Sequence, residues 1–211
     1  MARMQRGILG GLRGKIGNVV GSNWKGIDTL RSLPISVANP RSAGQVAQRT
    51  KFTAVVGFAS TALTSIVKPL WDRFAQYESG YNAFVSANIN AYSSDGVVDT
   101  NKIVTSRGSL TPAARLGATL NSNGIQVTLT WVNNAGVGSA LNADLAYMAV
   151  YHKRLDTWYF GQDTPHRIAE EGNVFVTGSF ASGDEMVAYV AFRRADGSIV
   201  SDSVLFNITV P

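Results

Sequence analysis

The sequence predicts an α+β chain in two parts: an N-terminal β-hairpin arm with a helical region, then a C-terminal antiparallel β-sandwich. Three observations predict it. Glycines punctuate the first 38 residues; apolar residues then recur at three- and four-residue steps from Ser42 to Ala91; beyond about residue 103 the apolar period falls to two. The expected divisions are a basic glycine-rich arm over 1–38, a helical region over 39–102 and the sandwich over 103–211.

Gly7, Gly10, Gly11, Gly14, Gly17, Gly21 and Gly26 fall at near-helical spacing, but each glycine inside a helix costs about 1 kcal/mol. A hairpin suits them better. Ile16–Trp24 and Ile27–Leu33 read as strands joined across Lys25-Gly26, and Pro34 ends the pair.

Ser42 with Gln45 three residues later has the form of a capping box, so a helix is expected to start there. Phe52, Val55, Val56, Ala59, Leu63, Ile66 and Val67 give its buried face. Pro69 is expected to end or kink it, because proline lacks the N–H that the helix needs. Leu70–Tyr77 reads as a continuation, and Tyr81–Ala91 as a last short helix.

In the third segment Ile125, Val127, Leu129 and Trp131 alternate with polar residues, as a strand buried on one face does. Further strands are expected at 145–152, 157–161, 173–180, 186–193 and 198–209, with Asp196-Gly197 as the last hairpin turn. About seven short strands with turn signals every 8 to 12 residues is the pattern of an immunoglobulin-like β-sandwich. This segment is expected to fold alone around Trp131.

Of the 211 residues, 45% are hydrophobic and 16% charged, which suits a packed globular chain. There is no cysteine, so disulfides, thiolate nucleophiles and cysteine zinc sites are excluded. Arg13, Lys15 and the glycines interrupt any signal-peptide core, and no window holds eighteen uninterrupted apolar residues, so no membrane span is expected. Charge is lopsided: residues 1–51 hold nine cations and one anion, a net of +8, while 52–211 hold ten cations and thirteen anions, a net of −3. Such an arm suits nucleic acid phosphates or an acidic neighbour, including the remainder of another copy.

Catalytic motifs are missing. The nearest approach to a phosphate-binding loop, Gly14-Lys15, has Leu9 and Ile16 where a glycine and a hydroxyl are required. His152 and His166 have no paired-ligand spacing and read as surface or strand-edge residues; Glu170-Glu171 and Asp184-Glu185 read as solvated turn acids. Trp131, Tyr151, Trp158, Tyr159 and Phe160 form a candidate stacking platform, although alternation favours Trp131 in the core and only one of Trp158 and Phe160 facing inward, with Tyr159 opposite. No cofactor, metal ligand set or small-molecule substrate is identified.

Residues 11–52 resemble the N-terminal signature of DUF6266, an uncharacterised family of Bacteroidota and their phages. The matching positions are Gly14-Lys15, Gly17, Val19 to Gly21, Trp24 to Gly26, Arg31-Ser32, Pro34, Asn39-Pro40, Gln45, Gln48-Arg49 and Lys51-Phe52. AYVAFRRADGSIVSDSV, residues 188–204, is similar to the last hairpin of that family and, separately, to a fibronectin type III or immunoglobulin-like module. The Asn39-Pro40-Arg41-x-x-x-Gln45 phrase resembles one near the start of several phage virion proteins.

These readings converge on a non-enzymatic structural protein, of phage-virion type, in a head, neck, tail or decoration role. It is expected in the virion, built in the host cytoplasm, and joined to further copies or neighbouring virion proteins through the arm. Trp24 is the expected anchor, since a tryptophan flanked by small residues often dominates an interface, with Arg13, Lys15, Lys25 and Arg31 as orienting contacts. In the competing view Trp24 packs on Val55, Val56 and Ala59. The alternatives in function are a nucleic-acid-binding accessory protein acting through residues 1–51, in the cytoplasm, and a carbohydrate-binding module.

Overall fold

Antiparallel pairing accounts for every strand of this mixed α+β chain. The computed structural model describes residues 2–3, 13–24, 26–36, 39–121, 125–178 and 180–210. They divide into two compact units, 1–42 and 43–211.

The first unit is a four-stranded sheet in the order β1-β4-β3-β2, with β1 at Ala2–Arg3, β2 at Gly14–Ile16, β3 at Val19–Trp24 and β4 at Ile27–Ser32. The expected hairpin forms, with Trp24 opposite Ile27 and Gly26 at φ +79° in the connection. A second turn escaped the sequence reading. Gly17 takes φ +57°, a conformation that side chains disfavour, and reverses the chain with Asn18, so Ile16 ends β2 instead of opening the long strand.

In the second unit α1 runs Ala43–Thr61, starting directly after Ser42. Val55, Phe58 and Ala59 are its buried residues, and Ala62 and Ile66 continue the stripe beyond its end. Phe52, one turn before that stripe, is 52% exposed. The axis then turns by 69° between Ala43–Thr61 and Leu63–Leu70. The bend sits at Ala62, ahead of Pro69: the Ala62 carbonyl accepts from the Ile66 and Val67 amides at 2.9 and 3.0 Å, and the Leu63 carbonyl accepts from Lys68. This π turn over Leu63–Val67 leads directly into the segment where Pro69 has no amide to donate. α2, Lys68–Leu70, then stops, so the expected helix through Tyr77 is absent. α3, Gly80–Asn88, starts on Ser79, whose hydroxyl accepts from the Asn82 amide, and a 3₁₀ turn over Ile89–Ala91 completes the helix expected there.

Seven strands follow: β5 (Ala114–Leu120), β6 (Gln126–Val132), β7 (Leu145–His152), β8 (Thr157–Phe160), β9 (Glu171–Phe175), β10 (Glu185–Arg193) and β11 (Val204–Thr209). They form two sheets, β11-β10-β7-β8 and β5-β6-β9. Between the sheets lie Val127, Leu129, Trp131, Met148, Val150, Val174, Met186, Val190 and Phe192. Trp131 is 3% exposed, meets Phe192 edge-on at 5.6 Å and donates its indole N–H to the Arg167 carbonyl.

The larger sheet is covered on its other face as well. Tyr151, Ala149, Val187, Tyr189 and Ala191, the alternate residues of β7 and β10, pack against Val55, Phe58, Ile66, Phe84 and other helical residues. The result is three layers: helices, four strands, three strands. The boundary expected near 103 is therefore absent. The Asn88 side chain bonds to both the amide and the carbonyl of Val104, Trp71 donates to the Thr105 carbonyl, and Tyr189 donates to the Thr100 carbonyl. A linker would leave those backbone groups to water; here they are fastened between helix and sheet.

Candidate interface

The N-terminal sheet positions the expected interface residues by its register. Lys15, Val20 and Arg31 stand on one rung across three strands, and Ile16, Val19 and Ser32 on the next. Neighbouring rungs face opposite sides, so Lys15 and Arg31 share one face with Val20, while Ile16 and Val19 stand on the other. Lys15 and Arg31 are exposed, and Arg13, just before β2, is exposed too. Ile16 is 60% exposed and Val19 39%. Ser22 and Thr29 share a hydroxyl hydrogen bond of 2.8 Å on the cationic face, and Asn23 donates to Asp28 at 2.7 Å on the other. Trp24 holds the rung with Ile27, four rungs from Lys15, Val20 and Arg31. The Trp24 side chain and all of Lys25 lie outside the described residues.

Other candidates resolve differently. His152 is fully buried, which corrects its reading as a surface or strand-edge residue: β7 lies between β10 and β8, so its end is enclosed. The His152 Nδ1 accepts from the Leu155 amide at 3.1 Å, Nε2 lies 3.3 Å from Asp184 Oδ2, and burial holds the imidazole pKa down. Asp184 is likewise no solvated turn acid. Arg154 grips it with two hydrogen bonds of 2.7 and 2.8 Å, which with the Ala181 amide hold its carboxyl far below the usual range. His166 Nδ1 lies 3.0 Å from the Ala143 carbonyl. Among the described residues no three His, Asp or Glu side chains gather into a metal-holding group.

The aromatic platform is largely consumed by packing. Trp131 and Tyr151 are core residues. Trp158 and Phe160 both pack on the helix side, one more than expected, with Tyr159 on the other. Phe58 reaches across from α1 to stack on Trp158 at 4.0 Å.

Sequence reasoning passed over a buried ionic cluster. Arg167 and Asp144 are both completely buried. The Arg167 guanidinium lies 3.2 Å from Asp144 Oδ2, donates to Asn134 and to the Thr111 carbonyl, and covers the Phe192 ring at 3.8 Å; Arg194 approaches the second Asp144 oxygen at 3.4 Å. Nothing in the spacing of two residues 23 apart announces such a pair.

One family's sequence model, described as a family of unknown function (DUF6266), matches residues 11–207. The chain belongs to that family. No curated protein matches it.

Proposed function

We propose that this DUF6266 chain is a non-enzymatic structural protein that joins an assembly through its N-terminal sheet. One observation carries the reading: the sheet of residues 2–32 is a unit apart, with an exposed apolar rung at Ile16 and Val19 on one face and Lys15 and Arg31 on the other. Small sheets need something packed on their apolar face to be stable, and a neighbour supplies that in an assembly. The Asn39-Pro40-Arg41-x-x-x-Gln45 resemblance favours a phage-type particle, with virion location and a head, neck, tail or decoration role. In chain order the seven strands of the second unit form the sets A-B-E and G-F-C-C′, which supports reading them as an immunoglobulin- or fibronectin-like module for display.

Sedimentation and electron microscopy of the purified protein test the proposal. A defined ring, trimer or filament that falls apart in Ile16→Asp is expected. A monomer at every concentration would refute it. The co-facial Lys15 and Arg31 keep nucleic-acid binding as the second reading; it requires affinity that falls steeply with salt, and loss of that affinity in Lys15→Glu with Arg31→Glu.

A further inference from the structure

The second unit carries a cleft of about 340 Å³ between α1, the loop after Tyr92 and the turn joining β7 to β8. Phe58, Tyr92 and Trp158 contribute its aromatic wall, and Asp156 is the charged residue among those lining it. Two polar groups there are unused. Tyr92 is 6% exposed, yet its hydroxyl has no hydrogen-bond partner among the described residues. Asp156 accepts from the Tyr151 hydroxyl at 2.7 Å through Oδ1, while Oδ2 has no partner among them. Asp156 ends the turn that joins β7 to β8 at φ +46°, a conformation aspartate tolerates in turns.

A carboxylate with a free oxygen, aromatic rings beside it and an open tyrosine oxygen are what a cationic side chain requires. Among the described residues no cation lines the cleft to compete. A sugar ring is served less well, because Trp158 is already in ring contact with Phe58, Tyr151 and Tyr189 at 4.0, 4.7 and 5.6 Å. The chain itself offers the complement: nine cations against one anion in residues 1–51, and a net of −3 in the remainder.

We propose that this cleft receives an arginine or lysine side chain from the basic N-terminal segment of a second copy of the chain. The inference rests on the assembly reading above and adds to it the receiving site. It places Asp156 as the counter-charge, the Tyr92 hydroxyl as a second acceptor, and Gly57 at the mouth.

Gly57 provides the test. A Cβ built on it meets nothing within 4 Å, and lysine favours a helix over glycine by most of 1 kcal/mol, so Gly57→Lys delivers a cation to the cleft without disturbing the fold. Asp156→Asn removes the charge and keeps both the acceptor for Tyr151 and a residue suited to positive φ. Sedimentation of the full chain is expected to show self-association weakened about tenfold or more in each variant, with thermal unfolding close to that of the wild type. N-acetyl-argininamide, as a free probe, is expected to compete with assembly of the wild type and to shift the Tyr92 resonances, and to do neither in Asp156→Asn. If both variants assemble like the wild type while Ile16→Asp does not, the arm docks elsewhere: this inference falls and the assembly reading stands. A wild type that stays monomeric overturns both.

Discussion

Replacing Arg167 with methionine isolates the buried ionic cluster. Arg167 and Asp144 are each 0% exposed, so the substitution strands a carboxylate in the interior with only Arg194 at 3.4 Å and the Leu141 amide at 2.8 Å to hold it. It also leaves the Thr111 carbonyl and the Asn134 side chain without their donor. Breaking a buried pair from one side costs about 3 to 5 kcal/mol, which for a chain of this size lowers the unfolding temperature by roughly 10 °C. Asp144→Asn should cost a similar amount, since it keeps an acceptor for Leu141 but leaves the guanidinium unpaired. The double variant removes both charges, so its loss should fall short of the sum of the singles by about 2 kcal/mol or more. Urea unfolding followed by tryptophan fluorescence reads all three, because Trp131 donates to the Arg167 carbonyl and responds to the site directly. Strict additivity, or a single-variant loss under about 1 kcal/mol, would refute the claim that these residues act as one ionic unit.

Two further outcomes follow from the layered core. Stability should fall on acidification in two stages: burial lowers the His152 pKa in the fold, so from about pH 6.5 downward the unfolded chain binds that proton ahead of the folded one, and from about pH 4 downward the same holds for Asp184, whose carboxyl Arg154 and the Ala181 amide hold low. His152→Asn, which retains an acceptor for the Leu155 amide, should flatten the first stage in a pH series of urea midpoints and leave the second; an unchanged curve would count against it. Residues 103–211 expressed alone should bind a hydrophobic dye and lack a cooperative transition, because removing the helices uncovers Tyr151, Tyr189 and Val187; a sharp thermal transition would show that the sandwich stands by itself.

Much of this fold was legible where a segment has one buried face. Val127, Leu129 and Trp131 alternate because β6 meets the core on one side, and Gly26, at φ +79° between paired Trp24 and Ile27, sits in the turn that its glycine suggests. The reading failed where burial is two-sided or the signal is not local. β10 is buried from Met186 through Phe192, so its sequence shows no alternation to reveal that helices cover the second face. β5 went unseen because its register slips between Ala114 and Gly117, where Arg115 takes φ +50° and breaks the period. For the interface, the basic composition was plain, but the rung that gathers Lys15, Val20 and Arg31 depends on the Gly17 turn. The cleft pairs Tyr92 with Asp156, which no spacing rule connects.

The helices that cover the larger sheet are translated long before the strand they cover. α1 ends at Thr61 and β10 begins at Glu185, 124 residues later. At 5 to 20 residues per second the ribosome takes roughly 6 to 25 s to close that gap. Throughout it Val55, Phe58, Ala59 and Ile66 have no Val187, Tyr189 or Ala191 to pack on, so the nascent chain carries an apolar stripe that α3, β7 and β8 cover only in part, and any product terminated before β10 keeps it so. Chaperone occupancy during synthesis should accordingly rise as α1 leaves the exit tunnel and drop only when the last two strands have followed it.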